Sequence, residues 1–93
     1  MNPADVRIYQ GVRIVLNQFG VNGRGIKIFV TQSNIELSGF FAVSNPRLTD
    51  KDIAGVLTTM HHQLGRIPAA GKVKLKFMNW VQADDGSWRQ KKK

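Results

Sequence analysis

Lys72, Lys74 and Lys76 alternate with Val73, Leu75 and Phe77, and Met78 and Trp80 continue the parity of the lysines. In an extended chain successive side chains point to opposite faces, so this stretch sets three ammonium groups and an indole on one side of a strand. The chemistry open to such a row is recognition of a polyanion. Lysines track phosphates, and an aromatic ring stacks on a base for roughly 1–3 kcal/mol. The same alternation in Lys27-Ile28-Phe29-Val30-Thr31 and Glu36-Leu37-Ser38-Gly39-Phe40 adds Lys27, Phe29 and Phe40 to that side. Arg89, Lys91, Lys92 and Lys93 add four positive charges within the last five residues, a sequence-independent and salt-sensitive attraction for phosphate.

Residue types suited to catalysis are sparse. There is no cysteine, hence no thiolate nucleophile, no disulfide and no thiolate zinc site. His61 and His62 are adjacent on a predicted helix, where their side chains diverge by about 100° and do not chelate one ion together. Asp84 and Asp85 fall in a Gly/Ser turn with no pocket for acid–base work. The glycines at 20, 23 and 25 precede a strand and not a helix, so they build no phosphate cradle. The expectation is a binding protein, not an enzyme, with no metal and no cofactor.

Ninety-three residues suit one domain. Fourteen Lys and Arg against six Asp and Glu give a formal charge of +8. Such a balance draws nucleic acid, an acidic protein or an anionic membrane, and it also serves plain solubility. The N-terminus lacks the basic start and apolar run of a secretory signal, and no apolar run nears the roughly 20 residues of a membrane span. A cytoplasmic protein is expected, with membrane contact disfavoured.

The elements that position the lysine face follow from periodicity. Asn2-Pro3-Ala4-Asp5 announces a helix, with Asn2 as cap, and Val6, Tyr9, Val12, Leu16 and Phe19 recur at helical spacing up to Gly20. Ile26, Ile28 and Val30 alternate as one strand. After the turn Gln32-Ser33-Asn34, a second strand runs through Ile35, Leu37, Gly39, Phe41 and Val43. Thr49 and Asp52 form an acidic capping box for a second helix. Its stripe is Ile53, Val56, Leu57, Met60 and Leu64, and Gly65 ends it. A third strand is predicted from Lys72 to Val81.

The chain therefore reads as α+β in the order α-β-β-α-β, a three-stranded sheet with two helices packed on one face. The domain covers residues 1–83, and residues 84–93 read as a basic, flexible tail. A different course, in which Trp80 and Trp88 fold the tail back over the sheet and the aromatics are buried within the monomer, is also open.

This order, with Ile35-Glu36-Leu37-Ser38-Gly39-Phe40-Phe41 at the second strand, resembles the BON domain. That family carries an apolar-x-Leu-x-Gly-x-apolar pattern there, which Leu37 and Gly39 match, and the likeness in topology covers roughly residues 4–81. The resemblance implies oligomeric assembly and contact with envelope membranes. The chain departs from the family in its basic final strand and its lack of an export signal. Gly20-Val21-Asn22-Gly23 imitates the GxxG loop of KH domains, but that loop joins two helices and this one leads into a strand.

Two binding readings follow. In one, Lys27, Phe29, Phe40, Lys72, Lys74, Lys76 and Trp80, helped by Arg89 and Lys91–Lys93, bind nucleic acid. In the other the same aromatics make a subunit contact in a homo-oligomer or larger complex, or the basic face captures an acidic protein.

Overall fold

A computed structural model describes residues 3–91, so the proposed cap Asn2 and the tail residues Lys92 and Lys93 lie outside the described residues. The helix α1, Pro3–Gln18, stops where Gly20 takes φ +66°. The Gly20 and Val21 amides donate there to the Asn17 and Leu16 carbonyls. Positive φ is a conformation that glycine adopts without a Cβ penalty. The face it buries carries Ile8, Val12, Val15 and Leu16, not the predicted Val6-Tyr9-Val12-Leu16-Phe19 stripe. Val6 is exposed, and Tyr9 and Phe19 are half-buried. Both stripes share Val12 and Leu16, and packing against the sheet and the second helix selects between them.

Strands β1, Ile26–Thr31, and β2, Asn34–Gly39, pair antiparallel with Ile28 opposite Leu37 and Phe29 opposite Glu36. Gln32 and Ser33 join them in a two-residue turn with φ of 50° and 69°. Positive φ at both central positions matches the right-handed twist of a hairpin. The buried Asp5 of α1 accepts a hydrogen bond from the Ser33 amide at 3.0 Å, tying the turn to the first turn of the helix. At its other end β2 breaks at Gly39, whose φ is +106° and whose added Cβ would lie 2.1 Å from the Gly25 carbonyl oxygen. Only glycine fits there.

Helix α2, Asp50–Gly65, begins with the predicted reciprocal cap: the Thr49 hydroxyl accepts from the Asp52 amide, and the Asp52 carboxylate accepts from the Thr49 amide. Leu57, Met60 and Leu64 are fully buried, with Ile53 and Val56 at the margin. Strand β3, Val73–Phe77, then runs parallel to β2 with Leu75 beside Leu37. The sheet order is β1-β2-β3, α1 lies against β1 and α2 against β3, and both helices cover the same face. The chain is α+β in the predicted order.

The third strand is shorter than predicted. It ends at Phe77, the chain bends at Met78 and Asn79, and Trp80–Gln82 forms a separate strand, β4. The cause is Asn79. Its amide replaces a strand partner for Phe41, accepting from the Phe41 N–H at 2.9 Å and donating to the Phe41 carbonyl at 2.8 Å. One residue is thereby taken out of the alternation, and Trp80 turns inward.

The segment predicted as a flexible tail is folded as far as it is described. Ala83–Ser87 make a turn, and β5, Trp88–Gln90, pairs antiparallel with β4. Trp88 packs against α2, where the His61 ring meets it edge-on at 6.5 Å between centroids. Burying a side chain as large as tryptophan is reason enough for the described part of this segment to fold back.

Candidate functional site

Register fixes which side chains share the face that the helices leave open. Phe29, Glu36 and Lys74 form one row across the three strands, and Lys27, Ser38 and Lys76 form the next. Lys72 precedes β3 beside Asn34. Lys27, Lys72, Lys74 and Lys76 are all exposed, Phe29 is 49% exposed and Phe40 54%. The β4–β5 hairpin packs on α2 and leaves this face uncovered.

The structure gathers part of the predicted set around a single hollow of about 360 Å³, lined by Phe29, Thr31, Asn34, Glu36, Lys72 and Lys74. Its geometry depends on Asn34, a residue the sequence reading used only as a turn former. The Asn34 side-chain oxygen accepts the Lys72 amide at 2.9 Å, and the Lys72 carbonyl accepts from the Ile35 amide at 2.8 Å. Gly71 allows this approach, since a Cβ on it would stand 2.5 Å from that oxygen. The backbone of Lys72 is thus held at the rim of the hollow while its side chain remains free to reach an anion.

Glu36 modifies the charge. Its carboxylate pairs with the Lys76 ammonium at 3.2 Å, diagonally across the face, with both groups partly exposed. Such a pair is worth about 0–1 kcal/mol, so Lys76 is partly neutralised but not immobilised. Lys72, Lys74 and Lys27 form no ion pair among the described residues.

Other predicted members fall elsewhere. Trp80 is 4% exposed, buried in the core by the shift at Asn79, and cannot stack on a ligand at the open face. Its place in the site is corrected accordingly. Met78, which precedes the shift, is 70% exposed. Phe40 lies beyond the Gly39 break, four residues along from Glu36, so the two exposed phenyl rings stand roughly 13 Å apart along the strand direction. Arg89 and Lys91 are exposed, but they belong to the hairpin packed on α2. The Lys91 amide donates to the Asn79 carbonyl at 2.8 Å. Their backbone is held at a folded edge, with the side chains exposed.

His61 and Asp85 both have partners within the fold. His61 is half-buried against Trp88 and His62 is exposed, and no group of three or more His, Asp or Glu among the described residues could hold a metal ion. Asp85 accepts from both the hydroxyl and the amide of Ser87, at 2.6 and 3.0 Å. These bonds, chiefly the hydroxyl, lower its pKa below the ordinary 3.8, with a smaller contribution from Arg89. That is the chemistry of a turn. No helix among the described residues is long and apolar enough to cross a membrane.

No family model, curated protein or solved structure matches the chain.

Proposed function

We propose that this protein is a non-enzymatic module that binds single-stranded nucleic acid across the open face of its sheet. The observation that carries this reading is the hollow in which the exposed Phe29 ring stands with Lys72 and Lys74 on an uncovered surface. Every base has a π-face, so a ring between phosphate-seeking lysines accepts a strand without demanding a sequence. Lys27 and the partly neutralised Lys76 extend the charge along the next row, and Phe40 offers a second ring at the far end. With three lysines contacting phosphate, affinity should fall about 20-fold between 50 and 200 mM salt. The reading carries with it a cytoplasmic location.

Fluorescence polarisation with labelled single-stranded RNA and DNA tests it. Micromolar binding with that salt dependence, lost in Lys72→Ala/Lys74→Ala and weakened in Phe29→Ala, is the expected result. Equal binding by the lysine variant and the parent chain would remove the open face from the account. The tail belongs in this test as Arg89→Gln and Lys91→Gln, because deleting residues 84–93 would also remove β5 and Trp88.

A second reading is favoured by the exposure of Met78 beside Phe40. A BON-like module that assembles with copies of itself would use Phe29, Phe40 and Met78 as an apolar contact. Sedimentation velocity separates the two: assembly predicts a dimer broken by Phe40→Ala/Met78→Ser and indifferent to the lysines.

A further inference from the structure

A second cleft lies between α1 and the β1 edge, with a volume of about 420 Å³, a size ordinary for small-molecule sites. Tyr9, Arg13, Leu16 and Asn17 form one wall, at the i, i+4, i+7 and i+8 spacing that a helix places on a single stripe. Val21, Gly23 and Arg24 form the other, and Ile26 and Ile28 of β1 line the space between the two. Two guanidinium side chains thus border one space from elements that are separate in the chain. No acidic residue lines the cleft, and neither arginine forms an ion pair among the described residues. Arg24 sits in a 3-10 turn, Gly23–Gly25, whose backbone is fixed by the Asn22 side-chain oxygen accepting the Arg24 amide at 3.1 Å.

We infer that this cleft binds a nucleoside phosphate, with the phosphate held between Arg13 and Arg24 and the base laid over the half-buried side chains of Tyr9 and Ile28. Guanidinium groups engage phosphate in paired hydrogen bonds that a lysine cannot reproduce. The half-buried phenol and Ile28 give a small apolar floor for a flat ring, and Asn17 offers both donor and acceptor to a base edge. The ligand is either a free nucleotide or one unit of a bound strand that has crossed the β1 edge from the open face. The second case rests on the reading of that face given above.

The test is a ¹H–¹⁵N titration of the full chain with adenosine monophosphate, uridine monophosphate, adenosine and inorganic phosphate, followed by a single-stranded oligonucleotide. A monophosphate is expected to give saturable shifts confined to Arg13, Asn17, Val21, Arg24 and Ile28. Adenosine and phosphate alone should bind at least tenfold more weakly. Arg13→Gln/Arg24→Gln should weaken nucleotide binding at least tenfold and Lys72→Ala/Lys74→Ala should not change it. Asn17→Trp, which fills the cleft and keeps both charges, should block it. Non-saturating shifts, or shifts unaffected by the arginine and Asn17 variants in a chain that keeps its dispersed spectrum, would overturn the inference. Oligonucleotide binding that is intact while monophosphates fail to bind sinks the cleft and spares the sheet. Monophosphate binding without oligonucleotide binding does the reverse and identifies a free nucleotide as ligand. Oligonucleotide shifts at both sites, weakened about fivefold by the arginine pair, identify a strand spanning them.

Discussion

Glu36 is the residue on which the charge balance of the open face turns. It sits between Phe29 and Lys74 in the same row, yet its carboxylate reaches Lys76 at 3.2 Å. Replacing it with Gln frees Lys76 and removes the one negative charge from a surface expected to meet phosphate. Binding of single-stranded RNA at low salt should tighten about threefold, with little change in thermal stability, since an exposed pair contributes at most about 1 kcal/mol. Asn34 acts differently. Asn34→Ala removes the acceptor that fixes the Lys72 backbone, so it should weaken RNA binding while leaving net charge unchanged. Comparing its effect with that of Lys72→Ala, by polarisation at one salt concentration, separates positioning from charge.

At this scale the sequence was legible wherever alternation held. Lys27, Phe29, Lys72, Lys74 and Lys76 all face outward as their parity requires. The failure was Trp80, and its signal was present: Asn79 interrupts an otherwise apolar face. A half-buried amide that satisfies both backbone groups of one residue takes the place of a strand neighbour, and the parity count restarts after it. The polar residue on the apolar face marks the position, but alternation does not say that the parity shifts there.

At the scale of elements, two joints hold the site in shape. Gly39 touches Gly25 where β2 breaks, so Gly39→Ala combines an unfavourable φ with a backbone clash. A loss of about 2 kcal/mol or more is expected in chemical denaturation. Asn34 and Gly71 bring the entry of β3 against the hairpin turn in the same close-packed manner. The β4–β5 hairpin depends on its turn. The folded pKa of Asp85 is lowered by Ser87, so its contribution is fully present above the ordinary value of 3.8 and is lost as pH falls through the lower folded value. Trp80 and Trp88 both lie in this hairpin, so tryptophan emission should report the loss below about pH 4. Asp85→Asn should flatten that acid-side change.

Both helices and the three strands of the main sheet were legible from alternation, the Thr49–Asp52 cap and the glycine breakers, although α1 buries a different stripe and β2 and β3 end earlier than predicted. The second small sheet was not. β4 and β5 are three residues each, too short for periodicity to register, and the second is flanked by charge. What folds them is the burial of Trp88 to 5% exposure, a tertiary effect that a local composition of Asp, Gly, Ser, Arg and Lys conceals.

At the scale of the whole molecule, the hairpin is a structural part and not an appendage. Deleting residues 84–93 removes β5 and one of the two tryptophans, at a cost of about 3 kcal/mol or more by the usual penalty for losing a large buried side chain. In a domain this small that should lower Tm by at least about 10 °C in a calorimetric scan. The positive charge is spread around the molecule: Lys27 and Lys72–Lys76 on the open face, Arg13 and Arg24 at the cleft beside β1, Arg89 and Lys91 on the hairpin. Net charge alone therefore predicts attraction everywhere, and the open face adds to it the two exposed phenyl rings of Phe29 and Phe40.

The central claim is that a strand lies on that face. Amide and side-chain shift mapping with a single-stranded oligonucleotide tests it most directly, with the two buried indoles as internal controls. The account predicts saturable changes at Phe29, Thr31, Glu36, Lys72 and Lys74, with the Trp80 and Trp88 indole signals unmoved. Changes centred on Arg89 and Lys91, with Phe29 silent, would contradict it.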